Sequence, residues 1–166
     1  MSPAVNRSRS GHTLIEMLIV VLVLAVLAGI VIPSASVGDA RKLDTLQLAM
    51  QDALDHAQSL AYHQGAAYGV RFHVNGQWFG VINEVGVPID DPLSHGDYVI
   101  KLKSPAMPTN LRLDYAMFGV RPVAAFDSKG VLIEGGEVDI SAGSTVRHLE
   151  CDTATAKLTE TEPGNP

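Results

Sequence analysis

The sequence predicts an α+β fold: a long N-terminal helix packed on an antiparallel β domain that closes as a sandwich. Three observations predict it. An unbroken apolar run fills residues 17–32, an apolar stripe at spacings of three and four follows, and everything after Gly65 alternates or turns as short strands do. The 166 residues are 46% apolar and only 18% charged, too oily for a disordered tail and unusual for a small soluble enzyme. Twelve basic against 18 acidic residues leave a net charge of −6, which argues against a generic binder of nucleic acid or anionic membranes. A single cysteine excludes an internal disulfide framework.

Residues 1–11 are short and polar, with Arg7 and Arg9 as their only charges. Leu14 and Ile15 extend the apolar run upstream across Glu16, and residues 14–32 would span about 28 Å as a helix, close to the thickness of bilayer hydrocarbon. Pro33 ends the run, and residues 34–38 read as a weak or kinked joint. From Asp39, a candidate N-cap, the pattern becomes amphipathic: Leu43, Leu46, Met50, Leu54 with Ala53, Ala57, and Leu60 with Ala61. Gly65 is the expected stop.

Beyond it, Tyr68, Val70, Phe72 and Val74 alternate with Arg71 and His73. Asn75-Gly76 then signals a two-residue hairpin that sets Phe72 against Phe79 and Val70 against Val81. Further strands are expected near 98–103, 111–116, 122–127, 131–134, 136–141, 145–151 and 156–161. Residues 84–96 and 104–110, each with two prolines, read as loops.

Glu16 is the informative residue. An acid at the start of an apolar run has a desolvation cost that neither a cleaved secretory signal nor a plain membrane anchor explains. Gly11-His12-Thr13-Leu14-Ile15-Glu16, followed by the run and then Pro33, resembles the type IV prepilin motif of pilins and pseudopilins. The resemblance implies cleavage by a prepilin peptidase between Gly11 and His12, with methylation of the new amine at His12. It makes Glu16 the fifth mature residue, paired with the N-terminal ammonium of a neighbouring subunit during filament assembly, and Pro33 the residue that kinks the helix. It departs from the family at His12, where an apolar residue is usual.

The implied organisation is a leader at 1–11, a membrane and filament-core helix at 12–38, an amphipathic helix at 39–65 and a β-rich domain at 66–166. Lys/Arg counts tie across the apolar run, so the resemblance alone places the globular domain outside the bacterial inner membrane, in the periplasm. Residues 46–65 running into 68–72, the segment Phe126-Asp127-Ser128-Lys129-Gly130 and a closing hairpin near 145–161 are similar to type II secretion minor pseudopilins of H type and to related minor type IV pilins. Major pilins often close a C-terminal loop with two cysteines, which Cys151 alone cannot do. The expected partners are other pilin-like subunits, the prepilin peptidase and an inner-membrane assembly platform. The alternatives are a minor type IV pilin acting in pilus biogenesis, adhesion or uptake, and a secreted β-rich binding domain behind a signal peptide.

Other chemistry finds little support. No Gly-x-Ser-x-Gly elbow occurs, and no enzyme activity or cofactor is expected. His56 and His63 lie two helical turns apart, and Asp52 with His56 reads as a surface pair. Asp90, Asp91 and Asp97 crowd a loop whose oxygens suit calcium, though without EF-hand spacing, so no metal is expected there. Arg147 and Lys157 stand among Glu150, Asp152, Glu160 and Glu162, which disfavours nucleic acid. Cys151 and Trp78 are expected in the core.

Overall fold

A computed structural model describes residues 14–91 and 96–161; within the N-terminal helix it describes side chains for residues 16–23 and from Gly38 onward. Internal contacts divide the chain into two units, Met1–Val37 and Gly38–Pro166.

Helix α1 runs Leu14–Gln64 without interruption. Asp39 is therefore no N-cap: it lies inside the helix and accepts a hydrogen bond from Lys42 Nζ at 2.7 Å. The helical run also passes through Pro33, whose side chain lies outside the described residues. At the other end Gly65, at φ 64°, turns left-handed and donates its N–H to the Ala61 carbonyl, the geometry a glycine supplies without steric cost.

Eight strands follow: β1 (Tyr68–His73), β2 (Trp78–Asn83), β3 (Val99–Lys101), β4 (Leu111–Phe118), β5 (Val123–Phe126), β6 (Gly136–Ala142), β7 (Thr145–Cys151) and β8 (Leu158–Glu160). They form two antiparallel four-stranded sheets, ordered β3-β2-β1-β5 and β4-β6-β7-β8. The helix stripe Leu43, Leu46, Met50, Ala53, Leu54, Ala57 and Ala61 is fully buried in one core with residues of both sheets. Phe72 of the first sheet stacks on Phe118 of the second at 5.4 Å. Burying each large apolar side chain is worth about 1.5–3 kcal/mol, so this shared core is the main force holding helix and sheets together.

The first hairpin has the expected register, Phe72 against Phe79 and Val70 against Val81. Its turn differs from the expectation. The left-handed residue is Gln77 (φ 53°), not Asn75 or Gly76, and strand pairing stops at His73 and Trp78. Gln77 gains from that position. Its amide donates to the Val74 and Leu113 carbonyls at 2.5 and 2.8 Å and accepts from Leu113 N–H at 3.0 Å. One side chain thus acts as a strand on the open edge of β4, beside the irregularity between Leu113 and Tyr115. That bulge shifts the alternation, so Leu111 and Leu113 on one side and Ala116 and Phe118 on the other all reach the core.

Residues 131–134 do not form the expected strand. They make a single bridge, Leu132 to Phe126, and two hydrogen bonds that cover the outer edge of β5. The preceding turn competes for this segment: Asp127 Oδ1 accepts from the N–H groups of Lys129 and Val131.

Candidate functional site

The first candidate is the start of α1. Met17, Leu18, Ile19, Val20, Val21, Leu22 and Val23 are each at least half exposed. Seven consecutive residues cover every side of a helix, so this segment is apolar all round and requires lipid or other helices as its environment. Glu16 sits exposed in the first turn, where the helix dipole favours a negative charge. Gly11 and His12, the expected cleavage pair, lie outside the described residues, as does the Pro33 side chain. Among the described residues no helix is long and apolar enough to cross a membrane, and part of the apolar run is outside them.

The second candidate is a seam along the other half of the helix. Asp44, Gln47, Gln51, Asp55 and Gln58 recur at spacings of three and four, forming a polar stripe beside the apolar one. Gln47 Nε2 donates to the Leu158 carbonyl at 3.0 Å. Gln51 donates to the Ala156 carbonyl at 3.1 Å and accepts from Leu158 N–H at 2.8 Å. Gln58 donates to the Gly130 carbonyl at 2.8 Å. Arg147 is mostly enclosed and donates to Asp44 at 2.8 Å, Gln47 at 2.9 Å and Glu160 at 3.3 Å. Lys157 pairs with Asp55 at 2.9 Å. Both C-terminal cations are thus engaged by helix residues. The sequence signal for the seam was the 3–4 spacing of these polar residues, which looks the same as a solvated face.

The remaining candidates separate. Asp90 and Asp97 meet as backbone partners, and Asp91 N–H donates to the Gly96 carbonyl at 2.6 Å. Among the described residues no three His, Cys, Asp or Glu side chains converge on a metal position. His56 stacks on the Tyr98 ring at 5.1 Å instead of bonding Asp52. Burial raises the Tyr98 pKa, and the carboxylates of Asp52 and Asp91 raise it further. Cys151 is buried as expected, and desolvation, aided by Asp152, pushes its thiol up to about 11. Trp78 is only half-buried and stacks on His73 at 5.1 Å, because its strand position faces away from the core.

A family model described as the prokaryotic N-terminal methylation motif matches residues 6–32. The fold of the minor pseudopilin EpsH from the type 2 secretion system of Vibrio cholerae superposes with a TM-score of 0.52 at 15% identity, covering 74% of this chain and 98% of that one. The fold of this chain is pilin-like. A second pilin-like structure, the type IV minor pilin FimU of Pseudomonas aeruginosa, gives 0.50 at 16% identity, covering 74% and 90%. At these identities the likeness is one of fold. No curated protein matches the sequence. By name the two structures are a minor pseudopilin and a minor pilin.

Proposed function

We propose that the chain is a minor pseudopilin, a structural subunit of a type II secretion pseudopilus that acts in filament assembly or at the filament tip. The observation that carries this is the all-round apolar start of α1 with Glu16 in its first turn, inside the matched methylation motif. In this reading a prepilin peptidase removes residues 1–11 and methylates His12. The helix then rests in the inner membrane with the β domain in the periplasm, until an assembly platform passes it into a filament. An ionised carboxylate in hydrocarbon is stable only when paired, so Glu16 against a neighbour's terminal ammonium both neutralises the charge and sets the axial register. The EpsH likeness supports the secretion assignment and the FimU likeness supports the second reading, a minor type IV pilin.

The test is the mass and N-terminal sequence of the mature protein from native membranes, with and without prepilin peptidase. The expected result is a start at His12 that disappears without the peptidase, with a mass that reports the methyl group. A start near Val37 would mean a discarded secretory signal and would end the filament reading. Deleting the gene and scoring secretion and pilus formation separately divides the two pilin-like readings.

A further inference from the structure

The outer face of the first sheet carries a groove of about 540 Å³ that the filament reading does not use. Its floor is Gly69, Arg71, Val123 and Ala125, which the strand register places side by side on β1 and β5. Gly69 keeps the floor low: a methyl carbon there would lie 2.7 Å from the Ala124 carbonyl oxygen, so no side chain can fill the trough. The rim carries three strongly exposed aliphatics: Val85 at 75%, Val120 at 86% and Ile133 at 58%. Exposed aliphatics gathered around one concavity mark contact surface more often than scattered ones do.

Arg71 gives the groove its chemistry. It is half-buried and makes no hydrogen bond or ion pair among the described residues. Its guanidinium lies under the loop after β2, close enough that a methyl on Gly86 would sit 2.7 Å from Nη2. A half-buried guanidinium keeps its charge and offers five donors in a planar fork, the shape that a carboxylate matches. Glu84, Glu134 and Arg121 also line the groove, so with Arg71 its lining carries two acids and two cations and has no net charge to attract a polyanion. The fitting occupant therefore carries one carboxylate flanked by apolar groups, which excludes a polyanion such as nucleic acid. An open trough with projecting rims suits a polypeptide better than a fatty acid, whose sites enclose most of the ligand.

We propose that this groove binds an extended segment of a partner protein through one Asp or Glu carboxylate on Arg71, with the segment's apolar side chains between Val85, Val120 and Ile133. The proposal does not rest on the filament reading, because the contact needs only the Gly38–Pro166 unit.

The test uses the full chain in lipid nanodiscs, passed over immobilised 12-residue peptides that place one Glu between aliphatic residues, each with a Gln counterpart. Glu peptides should be retained about tenfold better than their Gln counterparts, and Arg71→Gln should remove that preference. Arg71→Gln should melt with the parent, since its side chain holds no bond in the fold, and Val120→Ser should weaken retention of both peptide sets. Failure to retain any peptide, equal retention of Glu and Gln peptides, or an unchanged preference in Arg71→Gln would each overturn the proposal. Displacement by laurate, or preferential binding of a 20-nucleotide single strand, would overturn it in favour of those ligands.

Discussion

Two halves of one helix solve opposite problems. In residues 16–23 every side chain after Glu16 is apolar, and all are exposed. From Leu43 to Ala61 seven apolar residues form a fully buried stripe, with Leu48 the one apolar residue left exposed, and the polar residues beside the stripe bond to the β domain. Periodicity, more than hydrophobicity, marks the difference. The first half has no polar face and so no preferred direction for a partner, as suits a surrounding of lipid or of several helices. The second half has one face and one partner.

The contrast predicts unequal responses to the same substitution. Leu54→Ala, in the buried stripe, should cost about 2–5 kcal/mol in denaturant unfolding, whereas Val20→Ala should cost less than about 0.5 kcal/mol. Equal losses would mean that the first half belongs to the folded core after all. On the proposed filament reading, Glu16→Gln should reduce recovery in filaments.

The polar stripe supplies the next effect. Gln51→Ala strips partners from both Leu158 N–H and the Ala156 carbonyl, and it should cost about 1–3 kcal/mol. Hydrogen exchange at the Leu158 amide should rise more than at Val138, in the interior strand β6. If both amides respond alike, the seam is not a local fastening.

A smaller, pH-dependent effect follows from Cys151. Its folded pKa, about 11, lies above the unfolded thiol value, so burial of the neutral thiol favours folding fully below pH about 8.5 and this advantage is lost as pH rises toward 11. Cys151→Ala should flatten the alkaline part of a stability profile. The smallest effect belongs to Asp127, whose pKa is lowered by hydrogen bonds from Val131 and Lys129. Its contribution is complete above the ordinary carboxylate range and drains as pH falls through the lowered value, so Asp127→Ala should lose its difference from the parent in strong acid.

Much of this was legible in the sequence because the relevant signals are periodic or local. The buried stripe, the Gly65 stop and the Phe72–Phe79 register follow from spacing and turn residues alone. The readings that failed involve competition between local and distant partners. Asp39 looks like a cap, but a helix that already extends past it has no free amides there to cap. Asn75-Gly76 favours a tight turn, but Gln77 takes the left-handed position and bonds across to β4. Residues 131–134 alternate like a strand, yet the Asp127 turn claims part of their backbone. Gln47, Gln51 and Gln58 carry no local mark of their role, since their partners lie 72 to 111 residues away. The Arg71 groove was equally hidden, because strand pairing rather than sequence proximity brings its floor together.

The seam also sets how the molecule carries load. Asp44, Gln47, Gln51 and Asp55 attach to residues 147 and 156–158 over about three helical turns. Because these fastenings are spread along the helix, a pull on α1 within this unit is opposed at several points. The buried apolar stripe adds to these bonds along the same stretch of helix. Within the Gly38–Pro166 unit the β domain is fastened to its helix at several points at once.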